Sequence, residues 1–202
     1  MRRWIVEGSF SDVSLGSFSG EFYNLPATKE DILNLESISS SRIPPDYKNY
    51  LNEINGGDVD PRGIIYRWSP GDIKKLHFFL EEDHEIIVDE YTIVKFFYSA
   101  KHENKSFDML AALSHVNEWG GPGLLPVAST ITGDFIVMDV REGDSYGSIH
   151  FMTIHGVAAL EEFGLYSPLA FIAPNFTSMT RLFFDADSMP EEELQQFIRD
   201  YG

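Results

Sequence analysis

Apolar residues recur along this chain at two spacings, and the change from one to the other marks where helices give way to strands. Ile32, Leu35 and Ile38 predict the inner face of a short helix, with Thr28 as its N-cap and Asp31 at the third helical position. Three serines at 39–41 end it. Ile43, Pro44 and Pro45 then form a rigid extended step, because each proline fixes its own φ and disfavours helix in the residue before it. Tyr47, Tyr50, Leu51 and Ile54 follow at i, i+3, i+4 and i+7, the apolar stripe of a second helix. Asn55-Gly56-Gly57 stops that helix, since glycine adopts left-handed backbone without a Cβ clash.

Further on, Ile64, Ile65, Tyr66 and Trp68 predict a short strand, and Ile73, Leu76, Phe79 and Leu80 an amphipathic helix. The β-branched and aromatic runs IIV (86–88) and YTIVKFFY (91–98) favour strand. FDMLAALSHV (107–116) reads as a helix closed by Trp119-Gly120-Gly121-Pro122-Gly123. Three strands are expected next, in GLLPVA, DFIVMDV and SIHFMTIH, the last two joined by the turn REGDSYG. A capping-box match at Ser188 and Glu191 opens a terminal helix with Leu194, Phe197, Ile198 and Tyr201 on one face. Residues 1–25 alternate short apolar stretches with Gly and Ser, and are expected to form an arm or extra strands outside a single domain over 26–202.

Composition narrows the function. A chain of 202 residues with 43% apolar side chains can bury one substantial core. Its net charge of −17 repels nucleic-acid phosphate and anionic lipid, and speeds encounter with a basic protein. No direct contact with nucleic acid or membrane is expected. Cysteine is absent, which excludes a disulfide framework, a thiolate nucleophile and a thiolate zinc site. The N-terminal MRRWIVEGSF lacks the apolar stretch of a signal peptide, and no apolar run approaches the roughly 20 residues of a membrane span. A cytoplasmic location is the expectation. Asn104-Lys105-Ser106 and Asn175-Phe176-Thr177 match a glycosylation acceptor, a short pattern discounted where no secretory route is visible.

Most candidate chemistry has a plainer reading. Gly143-Asp144-Ser145-Tyr146-Gly147 matches the G-x-S-x-G pattern of hydrolases, but a strand follows it instead of a helix, so Ser145 is expected in a hairpin turn. His150 and His155, five apart on one predicted strand, point to opposite faces. A metal site can be drawn from His84 with Glu81, Glu82 or Asp83, yet exposed acidic runs are usually solvated, and no metal is expected. Gly120-Gly121-Pro122-Gly123 leads into an apolar strand and not into a helix N-terminus, so it reads as a loop and not as a phosphate cradle. Phe78, Phe79, Phe96, Phe97 and Tyr98 read as core before base-stacking platform. The stretch EEDHEIIVDE (81–90), with six acidic and no basic residues, is either a solvated, charge-protected edge or a patch that meets a basic partner.

Four pieces together carry a family resemblance: ATKEDILNLE, the step and helix IPPDYKNYLNEINGG, the strand GLLPVAST leading into ITGDFIVMDV, and the strand from Gly147 to His155 after its acidic turn. With Gly133-Asp134 and Asp139 in the strand-turn-strand part, the chain resembles the SUKH superfamily from Thr28 to about Ile154. That superfamily includes fungal cell-wall synthesis regulators and bacterial immunity proteins of polymorphic toxin systems. The part between Gly57 and Leu124 and the arm before Leu25 match no quoted pattern of it.

The resemblance implies an α+β fold, a mainly antiparallel β-sheet of about six strands wrapped by helices. It implies no catalytic machinery and no cofactor, and binding of a cognate toxin, of which nucleases are a common kind. An immunity protein of the cytoplasm that occludes or distorts a basic toxin is the first expectation. A non-enzymatic adaptor like the fungal regulators is the alternative, and a hydrolase using Ser145 is a third. For the partner-binding rim, charge and predicted loop position select Asp58, Asp60, Glu81, Glu82, Asp83, Glu85, Asp134 and Asp144.

Overall fold

The computed structural model describes residues 3–6, 13–16, 25–60, 62–68, 91–153, 169–186 and 189–201. Helix α1 (Lys29–Ser39) begins as its sequence requires. The Thr28 hydroxyl accepts from the Asp31 amide at 3.1 Å, and the Asp31 carboxylate accepts from the Thr28 amide at 2.9 Å, so two otherwise orphaned donors are satisfied. Ser40, left-handed at φ 52°, ends the helix. Ile32 and Leu35 are buried, but Ile38 is 53% exposed, against the expected stripe. At about 100° per residue, a third repeat of three positions has drifted about 120° from the first and leaves the core face.

Helix α2 (Pro45–Glu53) takes Pro45 as its first residue, where a missing N–H costs nothing, so the extended step ends at Pro44, one residue earlier than expected. Tyr47, Tyr50, Leu51 and Ile54 are all buried, as the stripe predicts. Tyr47 and Tyr50 pack on helix α4 (Phe176–Met179) and Tyr50 on Phe97: ring centroids lie 4.8 Å apart for Tyr47 and Phe176, 4.9 Å for Tyr50 and Phe176, and 5.7 Å for Tyr50 and Phe97. Such aromatic pairs add about 0.5–1.5 kcal/mol each beyond their buried area.

The corner after α2 explains the spelling Asn-Gly-Gly. Asn55 itself takes the left-handed conformation (φ 62°), before Gly56 and Gly57. Its side-chain amide donates to the Leu25 carbonyl at 2.7 Å and accepts from the Ala100 amide at 2.7 Å, and its own carbonyl accepts from the Ser99 hydroxyl at 2.7 Å. Gly56 lies so close to β5 (Tyr91–Phe97) and its continuation that an added Cβ would stand 2.8 Å from backbone atoms of Tyr98 and Ser99. Only glycine fits there.

Among the described residues seven antiparallel strands form the main sheet, in line with the expected antiparallel sheet of about six. In spatial order they are β10 (Phe183–Phe184), β4 (Gly63–Ile65), β5, β6 (Leu124–Thr130), β7 (Phe135–Asp139), β8 (Ile149–Met152) and β9 (Leu169–Ala173). Register shifts between Val94 and Phe96, Pro126 and Ala128, and Ile149 and His150 add twist. The sheet curls until its ends meet: Arg67, just past β4, exchanges two 2.7 Å backbone hydrogen bonds with Phe171 of β9. An exposed edge is thereby paired within the chain.

Helix α3 (Met109–Gly120), N-capped by Asp108, lays Met109, Ala112, Leu113 and Val116 on the sheet beside β6. Gly121 (φ 80°) ends it, as the glycine cluster predicts. Phe96, Phe97 and Tyr98 are buried core. Helix α5 (Glu191–Tyr201) docks through Leu194 and Phe197 onto Ile65 and Phe184. Strands β1 (Arg3–Val6) and β2 (Val13–Gly16) form a hairpin that adds to β3 (Asp58–Asp60) in a separate three-stranded sheet. The helix predicted around Ile73–Leu80, the strand at 86–88, His84, His155 and Ser188 lie outside the described residues.

Candidate functional site

The β7–β8 connection is held from beneath by one carboxylate. Asp139, the last residue of β7, is 1% exposed. It accepts from the Arg141 amide at 3.0 Å, from Arg141 Nε at 2.9 Å and Nη2, and from the Ser145 hydroxyl at 2.9 Å. Burial pushes this carboxyl upward, but the bonds from Arg141 and Ser145, with the guanidinium charge, outweigh it and hold the group below the usual aspartate range. Arg141 is correspondingly pushed up by its bond to Asp139.

Backbone bonds complete the turn. Gly147 N donates to Asp139 O at 2.7 Å, Ser148 N to Ser145 O at 2.9 Å and Tyr146 N to Gly143 O at 3.2 Å. The turn also leans on the α1–α2 step, where the Tyr146 hydroxyl donates to Arg42 O at 3.1 Å. Gly147 (φ 88°) faces Pro44, which an added Cβ would meet at 3.4 Å. On the step itself, Lys48 Nζ lies 2.6 Å from the Glu36 carboxylate, which also accepts from the Ile43 amide at 2.9 Å.

This framework presents Glu142, Asp144 and Tyr146 outward, the tyrosine ring 38% exposed. The half-exposed Arg141 side chain pairs with Asp139, and Glu142 and Asp144 are the loop's remaining charged residues. Beneath it, Ser148 Oγ lies 2.8 Å from His150 Nε2 and donates to Ser145 O at 2.6 Å, so the imidazole nitrogen is the donor to Ser148. Burial pushes His150 below the ordinary histidine value, against the pull of Asp139. The Ser145 motif sits on a strand–turn–strand, as expected, with its hydroxyl given to Asp139.

The residues selected from sequence do not form one patch. Asp58 and Asp60 are exposed on β3, two residues apart and therefore on one face. Partial burial pushes the Asp58 carboxyl upward. Asp144 is exposed on the β7–β8 loop. Asp134 is not at the rim: it is 5% exposed, its carboxylate folded in to accept from the Thr132 hydroxyl at 2.6 Å. It occupies the expected turn, at the opposite end of β7 from Asp144, and a turn hydroxyl two residues earlier draws its carboxylate inward. Glu81, Glu82, Asp83 and Glu85 lie outside the described residues.

Sequence reasoning passed over Tyr146 and Glu142 as surface and Asp139 as their support. The readable signal was an acid at a strand end followed two residues later by arginine, a spacing that lets one carboxylate take both the backbone and side chain of that arginine. Among the described residues no group of three or more His, Asp or Glu side chains could hold a metal ion, and no helix is long and apolar enough to cross a membrane.

No curated protein matches the chain. A family model described as the SMI1 / KNR4 family (SUKH-1) matches residues 26–181, from the residue before Ala27 through the end of the α4 turn. That span holds the proline step, the Asn-Gly-Gly corner, the curled sheet from β4 to β9 and the loop clamped by Asp139, and the chain belongs to the SMI1/KNR4 family (SUKH-1).

Proposed function

We propose that this chain is an immunity protein, which binds a cognate toxin with a basic active-site surface, a nuclease in the first instance, and blocks it. The observation that carries this reading is the β7–β8 loop: acidic, exposed and already ordered by Asp139 before any partner arrives. Ordering a loop on binding costs affinity, and a loop held in advance avoids that cost. Tyrosine is among the residues that dominate binding energy at interface centres, and Tyr146 is exposed on this loop two residues from Asp144. A nuclease must attract phosphate, so its cleft is basic, and carboxylates at Glu142 and Asp144 would occupy the place of substrate phosphates. The net charge of −17 would steer the two chains together. Membership of a family that includes such proteins supports the reading.

The test is co-expression of the full chain with the toxin domain encoded beside it, scoring survival together with a pull-down. Rescue and a stable complex are expected. Tyr146→Ala should weaken the complex by about thirtyfold, the scale of a 2 kcal/mol interface anchor. Glu142→Lys with Asp144→Lys should slow association and flatten its salt dependence. Survival without a complex, or a complex indifferent to all three changes, counts against the loop. Neither rescue nor complex would favour the adaptor role of the fungal relatives.

A further inference from the structure

Asparagine followed by glycine is a chemically weak point in a chain, because glycine has no Cβ to keep its backbone nitrogen away from the asparagine side chain. Of the eight asparagines here, Asn55 is the one followed by glycine. The reaction open to the pair is intramolecular and therefore favoured by proximity. The Gly56 nitrogen attacks Cγ of Asn55, and the new N–Cγ bond closes a five-membered imide. The Cγ–Nδ2 bond breaks, and Nδ2 leaves as ammonia with the proton that the Gly56 nitrogen gives up. One water then opens the ring at either carbonyl, leaving at position 55 an aspartate or its isomer, whose main chain runs through the side-chain carbon.

In the folded protein the groups that this step needs are already engaged. Asn55 is 3% exposed; its Nδ2 donates to Leu25 O and its Oδ1 accepts from the Ala100 amide, each at 2.7 Å. The side chain cannot swing toward Gly56 without breaking two bonds away from water. The Asn55 carbonyl accepts from the Ser99 hydroxyl at 2.7 Å, and the N–H of the attacking Gly56 nitrogen is bonded to the Tyr50 phenol. Gly56 is also wedged against the backbone of Tyr98 and Ser99, the close approach that excludes a Cβ.

The products do not fit the corner that protects the reactant. A carboxylate at position 55 can still accept from Ala100, but it has no hydrogen for Leu25 O, so two acceptors would face each other where a 2.7 Å bond now lies. The isomer inserts an extra backbone atom beside Gly56, where there is no space for one.

We propose that Asn55-Gly56 is a self-modification site closed by folding: the chain deamidates there while the corner is open, and is protected once Asn55 has bonded Leu25 and Ala100. After deamidation the corner no longer closes. The consequence is one-way, since a molecule that dwells unfolded loses its route back and a folded one keeps it.

The experiment holds the full chain at mildly alkaline pH in buffer and in urea, and follows the peptide carrying Asn55 by mass spectrometry for amide-to-acid conversion. In urea, conversion at Asn55 should outrun that at Asn34, Asn49 and Asn52 by about tenfold or more, because none of those three precedes glycine. In buffer it should slow by about a hundredfold or more, because reaction waits on an opening that few molecules occupy at any instant. Gly56→Ala should slow the reaction in urea by about tenfold, a comparison that needs no folded protein. On removal of urea the unconverted fraction should refold and the converted fraction should not, and Asn55→Asp, which supplies one product directly, should unfold at lower urea than the unaltered chain. Equal rates in buffer and urea, conversion in urea no faster than at the other asparagines, an unchanged rate in Gly56→Ala, or full refolding of the converted fraction would overturn the proposal.

Discussion

Two turns in this protein are each held by one buried polar side chain, and they are held for different ends. Asn55 bonds outward to chain segments far away in sequence, at Leu25 and Ala100, and so ties together α1's approach, the end of α2 and the end of β5. Asp139 bonds locally, to residues two and six positions ahead, and so holds a surface loop. The neutral amide closes the fold and should be indifferent to pH. The carboxylate shapes a surface and should respond to pH. Where an amide supports the core and a charge supports an exposed loop, loss of the first threatens folding and loss of the second threatens only the shape of the loop.

The harshest way to break the comparison is Gly56→Ala, which adds left-handed strain (φ 83°) to a Cβ only 2.8 Å from backbone. A loss of about 4 kcal/mol is expected, a large part of a typical 5–15 kcal/mol stability, read by urea denaturation. Asn55→Ala should cost about 3 kcal/mol, since the Ala100 amide and the Leu25 carbonyl lose their partner together. Its denaturation midpoint should fall equally at pH 7 and pH 5; a pH-dependent loss would erase the contrast between the two turns.

Asp139→Asn sharpens the contrast from the other side, with an expected cost of about 2 kcal/mol at neutral pH and faster amide exchange confined to residues 140–148. The sign of its pH dependence follows from the lowered carboxyl. The folded state resists protonation more than the unfolded chain, whose aspartate titrates near 3.8. The contribution is thus complete above that value and lost as pH falls through the folded one. In Asp139→Asn that part of the acid limb should vanish.

The smallest effect expected is a gain. The Tyr47 hydroxyl is buried with no hydrogen-bond partner among the described residues, in a setting that pushes its pKa well above the ordinary tyrosine value. Tyr47→Phe removes that unsatisfied group and should stabilise the protein by about 1 kcal/mol, seen as a raised melting temperature. A loss instead would mean that the hydroxyl contributes to the α2 corner as Asn55 does.

Much of the frame was legible in the chain. The cap at Thr28, the four-residue stripe of α2 and the three strands β6, β7 and β8 all follow from near neighbours. Strands β9 and β10 were not foreseen. LAFIA and a bare Phe-Phe are too short to show a period, and they become strands because a curled sheet offers them partners.

For the candidate site, sequence placed Asp144 in the acidic turn and left Tyr146 unremarked. The bond that seats Tyr146 reaches Arg42, 104 residues away. Asp134 was read as surface from its turn, and the Thr132 hydroxyl drew it inward.

By itself, then, the sequence determined what backbone restriction and periodicity can dictate: where helices start and stop, which helix face is apolar, which β-branched and aromatic runs favour strand, and a net charge of −17. Tertiary structure alone decided that Arg67 meets Phe171, that Asn55 reaches Leu25 and Ala100, and that Tyr66 stacks on Phe151. Such contacts join residues whose approach costs loop-closure entropy, and they form only when the curl of the whole sheet brings both ends to one place.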